Sequence, residues 1–190
     1  MSRPQRECLP ELTYHVYSRC HNLKNLMLQS IFKDILIEIM KMTLRKYEFE
    51  LIAYAILDNH FHFIIRTVKG GESISRIMQF IKSKYAQKYN RKMNRKGAFW
   101  NERFKDKIVE YQEDPEFYLR QLLWYLGYNP VRKSIVKDPR DYKYGSINYY
   151  LDEKYESKVK ITHHEYFLNL GDTFRERMLA FIEYEKLHKI

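Results

Sequence analysis

Between residues 12 and 19 polar and apolar side chains alternate, and aromatic or β-branched residues dominate. That is the period of a strand with one buried face. After a connecting segment the period changes. Ile31, Ile35, Leu36, Ile39, Met40 and Leu44 recur at helical spacing, which predicts a helix to about Tyr47 with Ser30 as its cap. Residues 49–57 and 60–67 read as two strands joined through the turn pair Asp58-Asn59.

Gly70-Gly71 breaks the chain, and Ser73 opens a second helix running to about Asn90. Ile74, Ile77, Met78 and Ile81 form its apolar stripe, while Arg76, Lys82, Lys84 and Lys88 lie on its other face. Residues 90–97 follow as a basic loop and 104–111 as a fourth strand. Asp114 and Pro115 make a strong helix start, N-cap followed by first-turn proline. Leu119, Leu122, Leu123 and Leu126 supply the core stripe of that third helix. Tyr118, Gln121, Tyr125 and Asn129 share another face, and Pro130 is expected to end the helix.

The order strand, helix, strand, strand, helix, strand, helix predicts an α+β fold. Its antiparallel sheet is expected to carry helices mainly on one face. The pattern changes after Tyr149. Residues 154–160 are charged and loop-like, and 165–190 read as two short helices or one broken at Gly171-Asp172-Thr173. We therefore expect one domain over residues 1–150 and a helical extension over 151–190, which packs on the domain, extends its DNA surface or mediates self-association, packing being the favoured role.

Charge and composition narrow the partner. A formal charge of +10 on 190 residues points to a polyanion, although basic soluble proteins share that charge. Seventeen tyrosines and eleven phenylalanines tilt the choice toward unpaired nucleic acid, because bases stack on such rings. Cys8 and Cys20 form neither a zinc pattern nor a disulfide framework, and read as free thiols in a reducing cytoplasm. The first residues lack the apolar run of a signal peptide, and no stretch is long enough to span a bilayer, so no membrane partner is expected.

Two segments carry the chemistry. In Asp58-Asn59-His60-Phe61-His62-Phe63-Ile64-Ile65, strand alternation sends His60 and His62 to the same face of an otherwise apolar segment. Two such imidazoles can hold a metal ion; a pair of core histidines bonded to the backbone is the plainer alternative. In Tyr125-Leu126-Gly127-Tyr128-Asn129-Pro130-Val131-Arg132, Tyr125 and Asn129 are one helical turn apart. Asn129 can act as a metal ligand through its side-chain oxygen or as a helix cap. Arg103, Lys105 and Arg132 read as phosphate contacts. Arg91, Lys92, Arg95 and Lys96 form a strip for a nucleic-acid backbone, or simply a solvated loop.

In this order, and with Phe99-Trp100-Asn101-Glu102-Arg103-Phe104-Lys105 between them, these segments resemble the single-tyrosine transposases of the histidine-hydrophobic-histidine (HUH) superfamily. The likeness is to the REP-associated tyrosine transposases and their insertion-sequence relatives, and covers about residues 9–150. It is extended by Asp138-Pro139, Asp141-Tyr142 and Ser146. The resemblance implies a ferredoxin-like or palm-like nuclease domain. It implies Tyr125 as nucleophile, with Tyr118 and Tyr128 as nearby rivals. It also implies Mg²⁺ or Mn²⁺ held by His60, His62 and Asn129, Asn129 standing where related transposases carry Gln. The implied partner is single-stranded or hairpin DNA, cut and rejoined through a 5′-phosphotyrosine. Some relatives act as monomers and others as a homodimer, so both states are open. Gly127 and Asn101 depart from residues common in those relatives, and a non-catalytic nucleic-acid-binding descendant is the alternative function.

Overall fold

The computed structural model describes residues 8–188. Four strands build one sheet: β1 (Thr13–Arg19), β2 (Phe49–Ile56), β3 (His60–Thr67) and β4 (Lys105–Ile108). Their order is β2-β3-β1-β4, and every neighbouring pair is antiparallel. β1 and β3 lie in the centre. β4 is an open edge carrying exposed Lys105 and Lys107, charges that discourage edge-to-edge pairing.

Alternation along the central strands assigns their side chains to opposite faces. Tyr14 and Val16 of β1, with Phe61, Phe63 and Ile65 of β3, form a core with the apolar stripes of α1 (Ser30–Lys46) and α2 (Ile74–Lys92). Ile64, with Ile52, Ala53 and Ala55 of β2, faces the other way and packs under α3 (Pro115–Arg132). The α+β class and antiparallel sheet agree with the expectation from sequence. The division of helices is finer than that expectation: α1 and α2 cover one face, and α3 covers the other because Ile52, Ala53, Ala55 and Ile64 make it apolar too.

Several boundaries differ from the periodicity reading. Ser30 is the first residue of α1 and Gln29 precedes it as cap residue; the Ser30 carbonyl instead accepts from Tyr144 (3.3 Å). The fourth strand stops at Ile108, because the chain turns where Gln112 N–H bonds the Val109 carbonyl (3.1 Å). Pro130 does not end α3. It lacks one N–H, which forfeits a single bond, and the helix runs on to Arg132. Ser134, at φ 54°, ends it. There Ser134 N–H bonds Val131 O (2.8 Å) and Ile135 N–H bonds Pro130 O (2.9 Å), the two bonds of a Schellman motif. The Asp114 cap behaves as expected, accepting from Phe117 N–H at 2.9 Å. At Gly127 an added Cβ would lie 3.1 Å from Ile147, so the missing side chain lets α3 approach the turn after it.

The last segment holds α4 (Glu165–Leu168) and α5 (Phe174–Ile182), restarted by a capping box between Thr173 and Glu176. It packs against α3. Trp124 donates to the Phe181 carbonyl (3.0 Å) and Tyr128 to Glu185 (3.0 Å). Glu185 is buried, and Arg140 meets it with two bonds of 2.9 Å, which supplies the partner a buried carboxylate requires. Among the described residues no helix is long and apolar enough to cross a membrane.

Candidate active site

The β2–β3 turn is fixed from several sides. Lys33, buried in α1, bonds Asp58 at 2.7 Å. Asn59 gives its carbonyl to Cys20 N–H (2.8 Å) and its amide nitrogen to the Leu23 carbonyl (3.1 Å). Its remaining Oδ1 accepts from His60 Nδ1 at 2.6 Å. Asp58-Asn59 is therefore more than a turn signal. It sets the ring of His60 and, by accepting a hydrogen bond from Nδ1–H, leaves the Nε2 lone pair for a ligand.

Antiparallel pairing places Arg19 opposite His60 and Tyr17 opposite His62. His62 Nδ1 shares a hydrogen bond with His15 Nε2 at 2.9 Å, and the two rings stack with centroids 5.1 Å apart. Tyr17 stacks on His62 at 5.4 Å. The His60 and His62 rings are 5.1 Å apart and nearly perpendicular. From α3 above, Tyr125 meets His62 edge-on at 5.8 Å and His15 at 6.4 Å. Tyr125 remains 38% exposed, so its hydroxyl-bearing ring is open to a substrate. Arg132 places its guanidinium 5.5 Å from that ring. A cleft of ≈ 380 Å³ is lined by His15, Tyr17, Arg19, His62, Lys107 and Tyr125 among others, and His60 and Asn129 are not in its lining.

Asn129 lies one turn beyond Tyr125 and is buried. Lys133, four residues further, follows α3 as its cap residue, and its charge helps hold the His60 imidazole neutral. The Asn129 amide nitrogen is buried with no hydrogen-bond partner. Amide N and O are assigned by context, and a flipped amide turns the oxygen to that unpartnered position. Two buried imidazoles and one unpartnered amide fit a divalent cation. Among the described residues no group of three His, Cys, Asp or Glu side chains forms a metal set, so a cation at His60 and His62 would need its third donor from Asn129 or from outside the protein.

Burial also sets the protonation state. It is the main cause that lowers His60 to about 4, helped by Arg19 and Lys133. Burial, then Lys107, lowers His15 to about 4. His62 is held well below the usual histidine range by burial, then by His15 and His60. All three are neutral at pH 7, the form that binds metal. Because the unfolded chain binds these protons near pH 6.5, stability is fully present above that value and is lost as pH falls toward 4. We expect the melting temperature of chelator-treated protein to fall by at least several degrees between pH 7 and pH 5. An unchanged melting temperature over that range would contradict neutral burial of the histidines.

The remaining candidates divide. Arg103 and Lys105 line two hollows that adjoin the cleft through Tyr17. Lys105 also pairs with Glu102 at 3.3 Å. Arg91, Lys92, Arg95 and Lys96 lie at and after the C-terminal end of α2 and do not line the cleft. Arg95 is partly engaged, bonding the Ala98 carbonyl at 3.0 Å. Of the rival tyrosines, Tyr128 is buried and bonded to Glu185, whereas Tyr118 lines the cleft one heptad before Tyr125. Sequence reasoning missed His15, Tyr17, Arg19 and Lys107. The signal was present: alternation puts His15, Tyr17 and Arg19 on one face of β1.

A family model described as IS200-like transposase matches residues 8–120, more than half of the chain. The chain belongs to the IS200-like transposase family. The family match takes in β1 through the start of α3, His60 and His62 included, and stops before Tyr125 and Asn129. A Haemophilus influenzae protein named for the REP-associated tyrosine transposases is 26% identical over 117 residues, 57% of this chain. The match spans 64% of that relative, so the chain covers less than two thirds of its length. The solved structure of a REP-associated tyrosine transposase bound to a REP hairpin superposes with a TM-score of 0.66 at 19% identity. It covers 86% of this chain and 94% of that one, and shows a shared fold.

Proposed function

We propose that this chain nicks and rejoins single-stranded DNA beside a hairpin-forming repeat, using Tyr125 as nucleophile and Mg²⁺ or Mn²⁺ at His60, His62 and Asn129. The observation that carries this reading is the accessible Tyr125 ring, held edge-on 5.8 Å from His62 inside a cationic cleft. Family membership and the hairpin bound to the structural relative support it.

The Tyr125 oxygen attacks the scissile phosphorus, and the bond to the 3′ oxygen breaks. The phenolic proton passes to solvent, the leaving strand ends in a 3′-hydroxyl, and the other strand remains as a 5′-phosphotyrosine. A 3′-hydroxyl then attacks that phosphorus and releases Tyr125, so the number of phosphodiester bonds is conserved without nucleotide hydrolysis. A cation held by His60, His62 and Asn129 would polarise the phosphate and help to hold the scissile group in place. Arg19, Lys107 and Arg132 surround the cleft with positive charge for the DNA backbone. His15 and Asn59 orient the two imidazoles through their second ring nitrogens.

Labelled single strands from repeats flanking the chain's own gene test this reading. With Mn²⁺ or Mg²⁺ they should give a nick and a protein–DNA adduct, and neither in chelator. Binding without either product at any of these cations would favour a non-catalytic descendant. The +10 charge further predicts that affinity falls steeply with salt through counterion release, by about 10³-fold or more between 50 and 200 mM if six or more phosphates are contacted. At near-physiological salt a repeat hairpin should outcompete random duplex in a filter-binding titration. Equal affinity for the two would contradict recognition of the repeat.

A further inference from the structure

The segment after α5 returns to the cleft. His188 follows the 3₁₀ turn Glu183–Leu187 and lines the cleft together with Gln121. Its backbone N–H bonds the Glu185 carbonyl at 2.8 Å, and its ring stacks on Tyr128 with centroids 6.5 Å apart. Both ring nitrogens are engaged. Nδ1 lies 3.2 Å from an Arg132 guanidinium nitrogen, and Nε2 lies 2.6 Å from Gln121 Oε1. A guanidinium can only donate, so Nδ1 accepts. Burial, then Arg132, lowers the pKa of His188, so the imidazole is neutral at pH 7. Its single proton is therefore on Nε2 and is donated to Gln121. Turning the Gln121 amide over would set two donors against each other. Arg132 thus fixes the tautomer, and the tautomer fixes the amide, even though this leaves Gln121 Nε2 buried without a partner.

The bridge spans the nucleophile. Gln121, Tyr125, Tyr128 and Arg132 follow helical spacing along one face of α3, and His188 ties the first of them to the last. Arg132 is exposed, and a long exposed side chain left alone samples many rotamers. Here its guanidinium stands 5.5 Å from the Tyr125 ring and 5.9 Å from the Tyr128 ring. We propose that His188 is a positioning residue for strand cleavage: bridged between Gln121 and Arg132, it holds the Arg132 guanidinium beside Tyr125, where the cation meets the phosphate under attack. His188 acts only through Arg132. This rests on the proposed nuclease reading with Tyr125 as nucleophile.

The test uses the full chain, a repeat hairpin with an unpaired flank, Mn²⁺, and single-turnover cleavage at saturating protein. His188→Phe keeps a ring against Tyr128 and removes both bonds. It should slow cleavage by about 10-fold, the scale of one hydrogen bond to a charged group, and leave hairpin affinity within about threefold. His188→Gln offers an oxygen to Arg132 and an amide N–H to Gln121, and should recover most of the rate. Arg132→Ala should itself be slow. In that background His188→Phe should cost less than about a further twofold, because nothing remains for it to hold. Long-range ¹H–¹⁵N NMR of the DNA-free protein should show the Nε2–H tautomer at His188. The proposal is overturned by wild-type cleavage in His188→Phe or in Arg132→Ala, by an undiminished cost of His188→Phe in the Arg132→Ala background, or by an Nδ1–H tautomer. Faster cleavage in His188→Phe, the mark of a ring that obstructs the cleft, overturns it too. So does a lowered melting temperature in His188→Phe combined with no recovery in His188→Gln, the mark of a packing role. The tautomer is read without DNA, so a wild type that shows it yet cuts no strand removes the nuclease reading instead, and the two failures are distinguishable.

Discussion

Tyr125→Phe is expected to lower strand cleavage by at least about 10⁴-fold and to remove covalent attachment, while binding to hairpin DNA and to the cation is retained. The substitution deletes one hydroxyl from a ring that is 38% exposed, so packing against His15 and His62 survives. Labelling distinguishes the chemistry. An oligonucleotide labelled 5′ of the cut should leave as a free strand, and one labelled 3′ of it should become protein-bound. Tyr128 is a poor rival because its hydroxyl is committed to buried Glu185, and burial with that carboxylate pushes its pKa up to about 12. Tyr118 is the sterner one, since it lines the same cleft. An adduct mapped by mass spectrometry to Tyr118, or an adduct persisting in Tyr125→Phe, would refute the assignment.

His62→Ala should remove cation binding, read directly by calorimetry with Mn²⁺, and lower cleavage by about 10³-fold or more. Charge stabilisation by a metal on a phosphoryl oxygen is worth several kcal/mol, which converts to a loss of that order. Because His62 is buried rather than solvent-reaching, the variant also leaves a cavity and strands the His15 nitrogen. Its melting temperature must therefore be measured alongside. His15→Phe separates the two effects: it keeps His62 but removes its orienting bond, and should weaken Mn²⁺ binding by about 10- to 100-fold. Two imidazoles in the donor set favour Mn²⁺ over Mg²⁺. Wild-type Mn²⁺ affinity in His62→Ala would place the cation elsewhere.

Much of this molecule follows from local pattern. Side-chain direction in a strand has period two, so His60 and His62 had to share a face once residues 60–67 were a strand. The Asp114 cap, the Ser73 cap and the restart at Thr173 are likewise decided within a few residues, because a cap bonds only the first turn of its own helix. Tyr125 stood out among seventeen tyrosines only because, with Asn129, Pro130, Val131 and Arg132, it resembles the segment that carries the nucleophile in the family.

Tertiary structure decided what depends on distant pairing. His15 reaches His62 because β1 pairs with β3 at one register, across 47 residues of chain. The commitment of Tyr128 to Glu185 spans 57 residues and required the last segment to fold back on α3. The second covered face of the sheet and the continuation of α3 past Pro130 also emerged only with packing. Helical and strand periodicities report which side of an element is apolar. They do not report which element will meet that side. That is set by the closure of long loops, and so by the whole chain.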